Sequence, residues 1–215
     1  MVEAGRQMQA LGLVSPMGGS MSVREADRIY ITKKGAHMGD LKDDDILELP
    51  SDGSTLMAGT AAADLPAHIA IYKDTSFNAV VHATPPYALA LSLAMENKIM
   101  PQDTEGLNTL RSIPVVRTRD RGNMEELGKV LPPIYKSGYN VSIVKEFGSY
   151  AVGDNLFSAL EGTFCLERSC KIISVNKMMA TPEPRREHPK ERRSAIPPGI
   201  GVMDRDRNFK RGFNR

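Results

Sequence analysis

The residues best suited to chemistry lie between Ala61 and Ser92, in AAADLPAHIAIYKDTSFNAVVHATPPYALALS. Asp64 precedes an apolar helix that carries His68. His82 closes the short apolar run AVV and is read as sitting just past a buried strand, where a loop begins. Imidazole there can accept a proton, bind a metal or simply cap the strand; the run alone leaves these open. A second group is Lys33-Lys34-Gly35, directly after the alternating segment RIYIT. Glycine beside lysines at a strand end can hold an anion with backbone N–H groups and ammonium charge, or be a solvated hairpin edge. Asp43, Asp44 and Asp45 lack the alternating acidic pattern and distal Glu of a calcium loop, and read as a solvated turn.

The elements that must position these residues follow from periodicity. A helix is expected over 3–12, ending at Gly12, before the loop SPMGGS. SMSVR and DRIYITKKG read as two strands around READ, and KDDDILELP gives a third. A helix bearing His68, the strand AVV and an alanine-rich helix after two prolines come next. ENKIMPQDTEG reads as a loop and SIPVVRT as a strand. NMEELGKVLPPIYKSG reads as a helix capped by Asn123 and broken at Pro132-Pro133. NVSIVKEFGSYAVG gives two strands about a turn at Gly148. A long helix runs from Leu156 to about Lys177, capped by Asp154 or Asn155. Strands in consecutive runs argue for a mixed α/β layered domain, not a doubly wound one. No GxxxxGKS or GxGxxG phosphate loop occurs.

Composition sets bounds. With 41% hydrophobic and 25% charged residues, the chain is in the ordinary globular range. No Trp and six each of Phe and Tyr argue against base stacking on single-stranded nucleic acid. Cys165 and Cys170, five apart in a helix, face poorly for a disulfide and are too few for zinc, which suits a reducing compartment. The N-terminal MVEAGRQMQALGL carries Glu3 and Arg6 instead of a signal-peptide core. No long apolar run could span a membrane, so a cytoplasmic protein is expected. The net charge of +2 divides into +5 from Thr181 onward and −3 before it. Two parts are therefore expected: a folded domain over 1–180, and a basic Pro/Arg-rich tail over 181–215, extended or disordered. Nucleic acid is expected to bind no more than weakly, through that tail.

Several segments together resemble the class II aldolase/adducin family, which includes fuculose-phosphate aldolase and ribulose-phosphate 4-epimerase. GGSMSVR resembles its GN-[IV]-S-x-R loop, and IYITKKG its strand ending in IT-x-[ST]-G. ADLPAHIAIY resembles SE-x-x-x-H-x-x-[IA]-Y, and NAVVHATPPYALALS resembles AVVH-x-H-x-x-x-A-x-x-S. SIPVV, VSIVKEFGSYAVGDNLFSALE and LERSCKI resemble later sections, so the likeness spans roughly residues 3–177.

The resemblance implies a mixed, largely antiparallel central sheet with helices on both faces, a homotetramer with active sites at subunit interfaces, and a phosphorylated sugar as ligand. It implies zinc or another divalent cation, held by three histidines, where the enzyme reading holds; such a cation stabilises an enediolate as a Lewis acid. His82 matches the first metal histidine. Thr84 stands at the second and Phe147 at the third. Asp64 fills the catalytic Glu position, one methylene shorter, Ser20 replaces the GN asparagine, and Ala62 and Ala63 replace two serines. Gly19, Ser20, Lys34 and Gly35 fall in the phosphate-binding region. Imidazole, a threonine hydroxyl and a phenyl ring do not make a zinc site. Glu146 is a possible substitute ligand, but in a strand over 143–147 it would face away from Phe147. The expected function is binding of a phosphorylated sugar or similar anion without zinc aldolase activity. The alternative is a divergent sugar-phosphate aldolase or epimerase acting on a ketose phosphate. A third reading is a scaffold acting through the basic tail.

Overall fold

In the computed structural model, residues 1–54, 59–120 and 123–180 are described. The expectation of an extended or disordered tail falls outside them.

Among the described residues, eight strands form one sheet. They are β1 (Ser20–Glu25), β2 (Arg28–Thr32), β3 (Ile46–Pro50), β4 (Ala79–Ala83), β5 (Lys98–Ile99), β6 (Ile113–Val116), β7 (Val141–Val144) and β8 (Gly148–Gly153). Their spatial order is β3-β2-β1-β4-β8-β7-β6-β5. Of these neighbours, β6 and β7 pair in parallel and the rest are antiparallel. Six helices accompany them among the described residues: α1 (Val2–Ala10), α2 (Leu65–Asp74), α3 (Pro86–Ala94), α4 (Thr104–Leu110), α5 (Met124–Lys136) and α6 (Leu156–Met179).

The sheet buries both faces, as strand alternation shows. In β4, Val80 joins the cluster containing α2 and α5 residues, with Leu65, Ile71, Leu127 and Leu131. Its neighbours Ala79, Val81 and Ala83 join Met8 of α1 and Ala159 and Leu160 of α6 on the other face. Helices therefore cover both faces of a largely antiparallel sheet, as expected. The long helix α6 is capped by Asn155, which accepts from Ser158 N at 3.0 Å. Its two cysteines are buried free thiols.

Several expectations need correction. The segment 96–106 read as a loop contains the short strand β5 and the start of α4, where the Asp103 carboxylate accepts from Gly106 N at 2.8 Å. Helix α5 does not break at Pro132-Pro133 but continues to Lys136. Its buried face of Leu127, Leu131, Pro132 and Tyr135 offsets the lost backbone donors. The Tyr135 hydroxyl fixes its last turn, 2.9 Å from Ser142 Oγ and 3.1 Å from Tyr150 O. The segment 143–147 is not one strand: β7 ends at Val144, and Phe147 N donates back to Val144 O at 3.1 Å. Gly148 opens β8, while Glu146 carries the left-handed backbone, with φ 63°. Among the described residues, no helix is long and apolar enough to cross a membrane.

Candidate active site

Strand register assembles the site. Ser20 pairs with His82 across β1 and β4, and His82 pairs with Tyr150 across β4 and β8. All three side chains meet the Asp64 carboxylate on the face that carries α2. His82 is therefore inside β4, not beyond it, with Ala83 still paired to Ser149.

Asp64 is the N-cap of α2, yet its side chain makes no capping bond. It turns to the sheet instead. Asp64 Oδ2 accepts from Ser20 Oγ at 2.8 Å and Tyr150 OH at 3.0 Å, and lies 2.9 Å from His82 Nδ1 and 3.3 Å from His68 Nε2. One oxygen thus gathers four side chains. Burial alone would raise this carboxyl; the charge and hydrogen bonds of His68 and His82 outweigh it and hold it well below the ordinary 3.8, as opposite charge and donated hydrogen bonds favour the ionised form. Tyr150 shifts oppositely, well above 10, first through burial and then through the Asp64 charge. It is a neutral donor.

The hydrogen-bonded chain continues away from the cleft. Ser20 Oγ is also 3.0 Å from His68 Nε2, and His68 Nδ1 is 2.7 Å from Ser22 Oγ, itself 2.7 Å from Tyr72 OH. His68 is fully buried. It supports Asp64 from behind and does not line the cleft.

His82 is held on three sides. Its ring lies nearly parallel to those of Phe147 (centroids 4.8 Å, 4°) and Tyr150 (4.7 Å, 8°). Asp64 fixes its Nδ1 edge. Nε2 is buried without a hydrogen-bond partner among the described residues. Gly148 leaves room for it, since a Cβ there would come within 2.6 Å of Nε2. Gly19, with φ 78°, lets the preceding loop cross β4 closely, where a Cβ would meet His82 O at 2.6 Å; glycine adopts that conformation without steric cost.

The cationic wall is built by a short zipper. Lys34 N donates to Thr60 O at 3.0 Å, Ala62 N donates to Thr32 O at 3.0 Å, and Lys33 bridges Ala61. These bonds set Lys33-Lys34-Gly35 beside Ala62-Ala63-Asp64. The result is a cleft of about 220 Å³ lined by Met17, Gly19, Lys33, Lys34, Gly35, Ala62, Ala63, Asp64, His82, Met124 and Phe147. Of the residues singled out from sequence, Gly19, Lys34, Gly35, Asp64 and His82 meet in it. Ser20 lies one layer deeper, bonded to Asp64. Glu146 lines a neighbouring cavity with Arg117, Thr118, Arg119 and Lys145.

Sequence reasoning missed Tyr150, Ser22 and Tyr72. The cue for Tyr150 was register, because it faces His82 directly once β4 and β8 pair. Among the described residues, no three His, Cys, Asp or Glu side chains converge as a metal-ligand set. The Thr84 backbone N–H is occupied by Leu13 O at 2.9 Å.

Comparison with known proteins gives a consistent answer. The family model for the class II aldolase and adducin N-terminal domain matches residues 1–174. An L-fuculose phosphate aldolase of Methanocaldococcus jannaschii is 30% identical over 163 residues, covering 75% of this chain and 87% of that protein. A methylthioribulose-1-phosphate dehydratase of Granulibacter bethesdensis is 32% identical over 176 residues, covering 74% and 82%. The crystal structure of l-fuculose-1-phosphate aldolase from Thermus thermophilus superposes with a TM-score of 0.79 at 28% identity, covering 85% and 95%.

Proposed function

The chain belongs to the class II aldolase and adducin family, and from that premise we propose that its cleft binds a small phosphorylated sugar or similar organic anion without zinc aldolase chemistry. The observation that carries this is one cleft holding both Lys34-Gly35 and Asp64–His82, with the Phe147 ring against the imidazole. Lys34 is exposed at the mouth, and Gly35 turns the backbone there with φ 75°. Ammonium charge beside a glycine turn suits a phosphate oxygen. Gly19 lines the same cleft, and Ser20 steadies Asp64 behind it.

A three-histidine zinc centre does not fit these donors. His82 offers one nitrogen, Phe147 offers none, and the Asp64 oxygen that faces His82 is already surrounded by donors. The site residues of the proposal are Asp64 and His82 for proton chemistry, and Gly19, Lys34 and Gly35 for the anion.

A second reading is a divergent aldolase or epimerase acting on a ketose phosphate. The Asp64–His82 pair favours it. When His82 donates Nδ1–H to Asp64, Nε2 keeps a lone pair directed away from the carboxylate, which is the arrangement of an oriented general base. Such a base takes a proton from carbon beside a carbonyl once the buried Nε2 is opened to the ligand.

One set of measurements separates the two. Purified protein is analysed for bound zinc, manganese and cobalt, and assayed for cleavage and epimerisation of ketose phosphates with and without added metal. The binding reading expects no stoichiometric metal, no turnover, and phosphate-ester affinity that falls about tenfold in Lys34→Ala. Stoichiometric metal that disappears in His82→Ala overturns it. Metal-independent turnover abolished in His82→Ala establishes the second reading. The same proposal places the protein in the cytoplasm as a homotetramer, with the domain ending near residue 180 and a basic tail beyond; light scattering tests the assembly.

A further inference from the structure

We infer that the ligand of this cleft is an anion with an apolar body, such as an alkyl, aryl or thioether phosphate, and not a polyhydroxylated chain. The inference rests on the anion-binding reading proposed above.

Beyond the lysines, the two glycines, Asp64 and His82, the wall consists of Met17, Ala62, Ala63, Met124 and Phe147. None of these side chains can donate or accept a strong hydrogen bond. Several polar groups nearby are already committed to one another. Asp64 Oδ2 receives Ser20, His82 and Tyr150 at 2.8–3.0 Å, and Ser20 Oγ bridges Asp64 and His68. His82 Nε2 has no partner among the described residues, but it is buried and offers the ligand no open polar atom. A sugar phosphate brings several hydroxyls, and each one pressed against Ala62, Met124 or Phe147 loses its water without replacement.

The apolar atoms are also placed to work together. Phe147 already stacks on His82 at 4.8 Å and so presents a fixed aromatic surface. Met17 Cε lies 3.6 Å from where a Gly35 Cβ would stand, so its thioether borders the same turn that offers the anion site. Methionine adapts to irregular apolar shapes and favours contact with aromatic groups. The cleft is therefore charged at the lysines, bordered by Asp64, and apolar along the wall of Met17, Ala62, Ala63, Met124 and Phe147.

The test is a calorimetric series on the intact protein. Inorganic phosphate, methyl, ethyl, propyl and butyl phosphate, and phenyl phosphate are compared with glycerol 1-phosphate and a ketose 1-phosphate. Affinity should rise roughly fourfold per added methylene, and phenyl phosphate should bind at least about tenfold tighter than glycerol 1-phosphate. Phe147→Ser and Met124→Ser should each flatten the dependence on chain length. If glycerol or ketose phosphate equals or exceeds the alkyl esters, while Lys34→Ala still weakens every phosphate, the apolar-body inference falls and the anion site stands. If no phosphate binds, both fall.

Discussion

Replacing Asp64 tests whether one carboxylate organises the site. Three donors lie within 3.0 Å of Oδ2, from Ser20, His82 and Tyr150, and all four residues are buried. Hydrogen bonds to a charged acceptor are worth roughly 1.5–3 kcal/mol each, but deletions within one network do not add. Ser20 keeps His68 as a second partner at 3.0 Å, whereas Tyr150 OH and His82 Nδ1 would be left unpaired. Asp64→Ala should therefore cost about 3–5 kcal/mol, and Asp64→Asn, which keeps one acceptor, about 1–3 kcal/mol. Tyr150→Phe in the Asp64→Ala background should cost less than in the native protein, by roughly 1–2 kcal/mol. The assay is urea unfolding followed by circular dichroism at fixed protein concentration, with unchanged m-values as a check.

The pH dependence supplies an independent sign. Asp64 is held below 3.8 in the folded protein, so the folded state releases its proton more readily than the unfolded chain. That contribution is complete above the unfolded value and is lost as pH falls through the depressed one. Native protein should lose stability below pH 3.8 more steeply than Asp64→Asn. Equal acid slopes in the two proteins, with Asp64→Ala costing under about 0.5 kcal/mol, would refute the carboxylate as organiser.

Other consequences can be checked separately. Gly148→Ala puts a Cβ within 2.6 Å of His82 Nε2 and against Ala83 O; with Phe147 and Tyr150 confining the ring, it should lose about 2 kcal/mol or more in thermal unfolding and weaken phosphate-ester binding. Tyr135→Phe removes bonds to Ser142 and to Tyr150 O, and should cost about 1–2 kcal/mol in urea unfolding. Burial raises both thiols, that of Cys170 to about 12, so a disulfide reagent at neutral pH should label them only as fast as the native protein opens.

Much of the fold was visible because its strands alternate or are uniformly apolar, and because turn residues separate them. RIYIT, ILELP and AVV behave as their patterns predict, and Asn123 and Asn155 cap their helices. The failures have physical causes. Helix α4 has only seven residues, too few for a periodic stripe, and is set by the Asp103 cap and burial of Gly106 and Leu110. Pro132-Pro133 reads as a stop locally, but tertiary burial of that helix face outweighs two missing N–H donors. His82 looked terminal because Thr84 and two prolines follow, whereas pairing of Ala83 with Ser149 extends the strand around it.

The position of His82 changes what the site can be. A histidine on a loop can swing to meet a ligand, and its partners need not be fixed. Inside β4, with Asp64 on one edge and parallel rings on both faces, the imidazole can present only Nε2. Residues 20, 82 and 150 form one row across three strands, so the sheet itself sets their spacing. The row needs Asp64 to join it, and Asp64 is free to do so because its helix does not use it as a cap. Phe147 stacks on the ring at the position where the family resemblance puts a third nitrogen. In the proposal above, the backbone that in the family resemblance carries a three-ligand centre here carries the Asp64–His82 pair beside an aromatic wall. A gain-of-ligand variant tests that account: Phe147→His with Thr84→His should raise zinc affinity by roughly a hundredfold or more over the native protein if the backbone alone retains the geometry. Unchanged zinc binding in a folded double variant would show that the stacked arrangement around His82, not merely the missing nitrogens, defines the site.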